Sequence, residues 1–553
     1  MNQLLEFDLD SETIYTSKQS YALSLKRGPS DLSRPPSDSA WPDMGDSPDK
    51  RELTDHDTPQ RIAGNACSSC RNQKRKCDKQ LPICSRCSKT KVNCNYNWDL
   101  KQQIDVQSSL FNFQLVQIPL NHDQTWLPST LQALQLSQQT DYSTFDVDRF
   151  FTDMVMRILA EYDSSADALL GFYFKGIHPW LPVIHEQTFR ARLSQLNTTP
   201  QAETALLLVA IFLLLRGGNK AEHDEHHQTY QLCKYLFSVL QIVRSPSLQL
   251  VQAGLLLTVY ELGSARSQDA SLSIATCAKL GYILRLNIDG PGDCHSTWVS
   301  AEEGRRAWMG VYILDRLIHQ ILTTTMGPHV VDELDDGFRP PLDDRIWDNP
   351  ENITHAALES ALTATSPSLT YFAGQVQAIQ FLGQVQLLQS ATDAEMFFEQ
   401  ADGLDGCLMT FMQCLFEQNP GSWAALCGAN SIALMASITL HRTRLDIESK
   451  LITQHGYNPP DQRSRLALTS MVNMVREISL KFNALEEDRK IKWVPLPAVL
   501  CTGEALRAAL WLNQVLDGEG IIDMEPLRRT LTYSGRNWGL AGEYLRDFRE
   551  QSV

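Results

Sequence analysis

The chain has 553 residues, 43% of them hydrophobic and 21% charged, with a formal net charge of −16 and a pI near 5.3. That length leaves room for more than one domain and a large core, in a composition ordinary for a globular protein. The acidic balance argues against polyanion binding over the whole surface, and thirteen cysteines with no secretory pattern (Leu4 and Leu5 run straight into Glu6 and Asp8) point to a reducing, intracellular compartment.

Residues 1–60 are rich in Ser, Asp and Pro, without a sustained apolar period, and are expected to be disordered. Within them, Leu4-Leu5-Glu6-Phe7-Asp8-Leu9-Asp10 interleaves acids with bulky apolar side chains. That composition suits an activation segment whose acids keep its hydrophobes accessible, the alternative being a solvated tail.

The spacing C-x2-C-x6-C occurs at Cys67, Cys70 and Cys77 and again, 17 residues later, at Cys84, Cys87 and Cys94. Zinc takes four tetrahedral ligands, with sulfur at about 2.3 Å, so three thiolates from one half leave it one short. Two ions sharing two bridging sulfurs use all six cysteines. The repeat therefore predicts a pseudo-two-fold cluster holding two Zn2+ ions. Six thiolates around two such ions leave a negative site, and cations crowd it: Arg71, Lys74, Arg75 and Lys76 in the first half, Arg86, Lys89 and Lys91 in the second. Residues 61–101 carry ten Lys or Arg against Asp78 and Asp99, a net of +8 that leaves −24 for the rest of the chain. A cationic island on an acidic protein is an electrostatic footprint for nucleic acid.

With the basic run 71–76, Asp78 after the third cysteine and Pro82 between the halves, this segment resembles the fungal binuclear zinc cluster transcription factors. The resemblance implies that Cys67 and Cys84 bridge the ions. It also implies that the first short helix enters the major groove of double-stranded DNA and reads a CGG-type triplet. Base contacts then fall on Gln73 and Lys74; a lysine donates to guanine O6 and N7, while Gln73 stands where the family carries arginine or lysine. Arg71, Arg75 and Lys76 are expected on phosphates, which position without specifying. By the same resemblance the chain is a nuclear regulator of RNA polymerase II genes, in a family that often controls metabolic or secondary-metabolite gene clusters. It is expected to act as a homodimer with the transcription machinery or coactivators and away from membranes; the segment 4–10 leans towards activation. Import is assigned to Lys74-Arg75-Lys76, with Lys26-Arg27 as a second basic pair. The competing reading is a zinc-stabilised module that binds RNA or protein without reading DNA. Single-stranded RNA readers display aromatics for base stacking, and there is no Phe, Tyr or Trp between Cys67 and Cys94.

Residues 99–144 read as a glutamine-rich linker, with ten Gln between 101 and 140. A coiled coil is not expected there: a seam through Leu100 and Ile104 continues to Gln107 and Phe111 and then meets Pro119. Phe111, Phe113 and Leu115 alternate with period two, as in a short extended segment. Dimer contacts are thus expected from the helical domain or from 111–115.

From 145 to 553 the pattern is all-helical. The apolar run 205–215 is too short for a bilayer, which needs about 20 residues, and reads as a core helix. Further helices are expected at 248–262, 272–286, 300–318, 404–417, 423–442, 464–484, 498–515 and 538–548, the one at 300 opened by a capping box of Ser300 and Glu303. The region also resembles the regulatory middle homology domain of the same family, through Tyr173-Phe174, the run 177–185, Leu280-Gly281-Tyr282, Glu303 with Arg305, Arg306 and Trp308, and Leu314-Asp315-Arg316. Residues 324–328 stand where the family has a Gly-Arg-Pro turn. Trp180 and Trp308 are expected in the core, Asp315 and Arg316 as an ion pair, and the seven cysteines outside the cluster as buried free thiols. His223, His226 and His227 lack the order that presents two metal ligands and a base, and no nucleophile elbow, phosphate loop or dinucleotide loop is present. The expected architecture is a small zinc-stabilised two-helix cluster (61–98) and a large all-α regulatory domain (145–553), with disordered N-terminus and linker. No catalytic residues are expected.

Overall fold

Helices are the only extended regular elements among the described residues, as the scarcity of alternating patterns implies. The computed structural model describes residues 67–94, without 68, 71–72, 81–82 and 93. It also describes 146–551, without 163–164, 217–222, 289–296, 323–327, 335–337, 353, 355–370, 391–392, 419–426, 456–461, 488–492 and 516–520. The expectations for 1–60 and for the linker 99–144, including the failed heptads and 111–115, lie outside the described residues. The chain divides into two units, one carrying the six clustered cysteines and one running from Asp146 to Val553.

The cysteine unit has one helix described in full, α1 (Ser85–Thr90). The second unit is built from α2 (Val147–Glu161), α3 (Ala166–Gly176), α4 (Glu186–Gln195), α5 (Ala202–Arg216), α6 (His223–Val243), α7 (Leu248–Gly263), α8 (Ser267–Ile283) and α9 (Trp298–Ile321). The short α10 (Asp344–Asp348) follows, then α11 (Tyr371–Leu388), α12 (Ala394–Gln418), α13 (Cys427–His455), α14 (Arg463–Glu487), α15 (Leu496–Val515), α16 (Glu525–Ser534) and α17 (Gly539–Gln551). Local chemistry sets several starts: Asp146, Ser165, Ser247 and Thr297 each accept the backbone N–H three residues on, satisfying a donor that the first turn leaves open.

Beyond its first turn α5 is apolar all round, and residues 204–214 are buried, because α2, α3, α6 and α7 enclose it. α7 passes the packing on to α8 and α9, and α9 meets α11. In the C-terminal half α13 lies against α11, α12, α14 and α15, and α15 against α16 and α17. The end of α7 also meets the start of α17 at Gly263, where a Cβ would fall 2.2 Å from a ring carbon of Trp538. Trp538 Nε1 donates to the Val494 carbonyl at 2.7 Å, so its ring is pinned there.

Three expectations are corrected. The helix predicted at 272–286 runs from Ser267 to Ile283, because Arg285 turns left-handed (φ 59°) and Leu286 N–H bonds back to Gly281 O at 2.9 Å. The capping box does not form: Thr297 caps α9, and Glu303 points inward, accepting from His185 N–H at 3.1 Å and Gln252 Nε2 at 2.9 Å. The segment 404–417 is the second part of a longer α12, and α16 went unread because its polar sequence carries only Leu527 and Leu531 as a core pair.

α9 carries most of the buried charge. Glu302 accepts from Arg306 Nε and from Leu342 N–H, both at 2.9 Å, and pairs with Arg305. Arg306 continues to Asp344 at 2.6 Å and to Leu342 O at 2.8 Å, with its guanidinium 4.1 Å above the Trp347 ring. Farther along, Asp315 accepts from Val330 and Val331 N–H at 3.1 and 3.2 Å and pairs with Arg316 at 2.6 Å; Arg316 reaches Val331 O and Glu333. Two straps, 329–334 and 342–349, are thus clamped to α9. A buried ion pair holds only when its remaining lone pairs and protons are satisfied, and backbone groups of the straps do that here. Trp180 and Trp308 are in the core, as expected.

A candidate metal centre and nucleic-acid interface

The cysteine unit has no apolar core among its described residues. Its buried side chains are Cys67, Cys70, Cys84 and Cys87, with Cys77 and Cys94 packed against them. The sulfurs lie 3.8 Å apart for Cys67 and Cys84, 3.6 Å for Cys67 and Cys87, 3.8 Å for Cys70 and Cys84, and 3.9 Å for Cys70 and Cys87. A tetrahedron with sulfur about 2.3 Å from its centre has edges of about 3.8 Å, so the donor set has the size that zinc requires. Cys77 and Asp78 offer atoms within 4.8 Å of the Cys84 sulfur, and Cys94 Sγ accepts from Cys84 N–H at 3.3 Å. All six predicted cysteines are therefore drawn to one place.

The electrostatics favour a cation there. Burial pushes the Cys67, Cys70, Cys87 and Cys94 thiols up. Burial also acts on Cys84, but donation from Cys87 N–H and the neighbouring thiols outweighs it and brings that group down to about 6. Sulfurs this close are stable either as thiols or as thiolates sharing a metal, and a zinc ion supplies the positive charge that several buried thiolates need.

The two halves close alike. After Cys70 the chain turns at Lys74 (φ 48°), and Arg75 N–H bonds to Cys70 O at 2.9 Å; after Cys87 it turns at Lys91 (φ 51°), and Val92 N–H bonds to Cys87 O at 3.1 Å. Asp78 ties one half to the other: both its oxygens lie 3.1 Å from Ser85 N–H at the start of α1, and the Ser85 hydroxyl first, with that N–H, holds its carboxyl below the usual carboxylate range against the effect of burial. Ser85 Oγ in turn donates to Gln80 at 2.9 Å. The acid directly after the third cysteine was the visible signal for this link, though its partner was not. Gln73, Lys74, Arg75 and Lys76 are exposed around the first turn; Arg71 lies outside the described residues.

The other sequence candidates are structural. Asp315 and Arg316 form their ion pair within the core. Cys233 and Cys277 are buried free thiols, and burial pushes Cys233 up to about 12; Cys501 is buried, and Cys407 and Cys414, expected to be buried, are only half-buried on α12. α6 begins at His223, and the side chains of 223–227 lie outside the described residues. No described helix is long and apolar enough to cross a membrane.

A cysteine cluster sized for zinc, beside a cationic turn and followed by an all-helical body, defines a class that sequence comparison also identifies. Residues 65–103 match the fungal Zn(2)-Cys(6) binuclear cluster domain, and residues 170–357 match the fungal specific transcription factor domain. The chain belongs to the fungal Zn(2)-Cys(6) transcription factors: it is a zinc-binding, DNA-binding transcription regulator and not an enzyme. It is 30% identical over 184 residues to transcription factor BOA15 of Botryotinia fuckeliana, covering 32% of this chain and 99% of that one. It is 22% identical over 353 residues to the ascochitine biosynthesis cluster transcriptional regulator of Didymella fabae, and 24% identical over 297 residues to the pigment biosynthesis transcriptional activator pigB of Monascus ruber. These two matches cover 62% and 47% of this chain and about half, 55% and 52%, of the relatives' own length.

Proposed function

We propose that the chain is a nuclear, sequence-specific activator of RNA polymerase II genes that reads CGG-type half-sites and controls a biosynthetic gene cluster. Residues 61–98 form the DNA-reading domain, 99–144 the linker and 145–553 the regulatory domain, with 1–60 supplying the activation segment that engages coactivators. Two Zn2+ ions occupy the cluster, held by Cys67, Cys70, Cys77, Cys84, Cys87 and Cys94, with Cys67 and Cys84 bridging. Lys74 donates to guanine, Gln73 lies beside it at the base edges, and Arg71, Arg75 and Lys76 hold phosphates. The observation that carries this reading is the exposed turn at Lys74, attached through Cys70 to a zinc-sized sulfur tetrahedron. The metal fixes that turn, so its lysine meets the groove without a large ordering cost. Relatives named for an ascochitine cluster and for pigment biosynthesis favour a secondary-metabolite cluster as target.

A triplet is too short to be found alone in a genome, so a paired site read by a homodimer is the working form. The decisive experiment pairs elemental analysis of the full chain with binding to duplexes carrying two, one or no CGG triplets. Two zinc ions per chain and preference for the paired site are expected. One zinc per chain overturns the binuclear reading, and equal binding to all three duplexes overturns the specificity.

A further inference from the structure

The second half of the cysteine cluster carries charge that the reading above leaves without a task. Residues 79–94 contain Lys79, Arg86, Lys89 and Lys91 and no acid. Lys89 and Lys91 are exposed at the end of α1 and Arg86 is half-exposed; among the described residues none of the three has a side-chain hydrogen bond or ion pair. Lys91 also sits where lysine is a poor conformational choice. It is the left-handed residue that ends α1, a position that glycine fills without steric penalty and asparagine tolerates. Lys74 occupies the equivalent place 17 residues earlier with nearly the same φ, 48° against 51°, and the same hydrogen bond back to the helical cysteine. Folding and zinc binding gain nothing from a β-carbon in either turn. A strained residue standing at matching points of a symmetric scaffold is better explained by its side chain's use than by its backbone.

We infer that Lys91, with Lys89 and Arg86 beside it on α1, is a second nucleic-acid contact surface, which grips a backbone phosphate flanking the triplet that Lys74 reads. The inference rests on the DNA-reading assignment of the first half. The two turns are related by the pseudo-two-fold repeat, so they occupy different positions on the cluster and cannot both reach one triplet. No acid in the second half competes for its cations, and the anion abundant beside any triplet is the phosphodiester backbone. Contact there adds affinity and orientation without adding a sequence requirement.

The test uses the full zinc-loaded chain and two labelled duplexes of equal length, one with a paired CGG site and one without, titrated from low to moderate salt. Lys91→Ala should weaken binding to both duplexes by the same factor and flatten the logarithmic salt dependence by about 0.9, the share of one phosphate. A fourfold rise in salt then weakens the variant about 3.5-fold less than the wild type. Lys91→Gly should lose the same affinity yet hold zinc against a chelator at least as well as the wild type, because the strained turn is relieved. Binding by both Lys91 variants that matches the wild type in strength and salt slope overturns the inference. A Lys91 variant that changes the preferred triplet also overturns it, by making Lys91 a base reader. Lys74→Ala run alongside separates the failures: if it leaves discrimination intact, the first-half assignment is what has failed.

Discussion

The two units of this chain are held together by opposite means. The cysteine unit buries four sulfurs and, among its described residues, no apolar core, so its order depends on a few ligands and the metal they fit. The helical body has a continuous apolar core from Phe151 to Tyr544, with charged clamps on α9 fastening two straps across it. The contrast teaches that vulnerability follows the source of order. Loss of one thiolate disables the first unit, whereas the body spreads its stability over many side chains and fails most sharply where a buried charge loses its partner.

The largest effect that would sharpen this contrast is metal removal. Chelating the full chain, or replacing Cys84 with Ser, should abolish site-specific DNA binding while leaving the helical circular dichroism close to that of the wild type. A chelator that unfolds the body as well would show that the two units are not held independently. Next in size is Arg306→Ala, which takes from buried Glu302 one of its two cations, leaving it Arg305, and leaves the partly buried Asp344 without its partner. Breaking a buried pair from one side costs about 3–5 kcal/mol, read as a lower denaturant midpoint of the body, with zinc content unchanged. Gly263→Ala comes third: its methyl meets the pinned Trp538 ring, and such overpacking costs about 1–3 kcal/mol. A variant as stable as the wild type would mean that the α7 and α17 junction yields easily. Lys74→Ala should leave stability alone and reduce discrimination for the CGG triplet by about 1–3 kcal/mol, the size of one good base contact.

The smallest effect is a pH dependence confined to the body. His185 Nε2 lies 3.1 Å from the Trp347 carbonyl, and its Nδ1 lies 2.7 Å from Thr188 Oγ1 and 3.4 Å from Thr188 N–H, so a neutral ring donating from Nε2 and accepting at Nδ1 satisfies these partners. Burial, working against the pull of Glu303, keeps this imidazole below its ordinary value. A base depressed in the folded state binds its proton more readily when unfolded. Its contribution is therefore complete above the ordinary histidine value of about 6.5 and declines as pH falls below it. Denaturant midpoints of the wild type between pH 7.5 and 5.5 should fall more than those of His185→Gln; parallel curves would remove His185 from the account.

Much of the cysteine site was legible because its information is local. Six cysteines within 28 residues, in two copies of one spacing, state ligand type and geometry with little help from the rest of the chain. The helical class of the body was equally plain from long apolar periods such as 205–215. What escaped was which polar groups would be paired. Ser300 and Glu303 have the spacing of a capping box, yet Glu303 bonds His185, 118 residues away, because its side of α9 faces the interior. Arg306 likewise finds Asp344 and Leu342 across an intervening strap.

By itself the sequence determined the repeated cysteine spacing, the cationic run beside it, the acidic helical body and the family these define, since each rests on neighbours in the chain or on periodicity. Only the tertiary structure decided that α9 is a buried clamp, that Asp78 links the two cysteine halves through Ser85, and that Lys74 and Lys91 occupy matching left-handed turns. Those outcomes depend on which distant groups meet and on backbone angles that spacing does not encode, so the fold had to bring the partners together before their roles were visible.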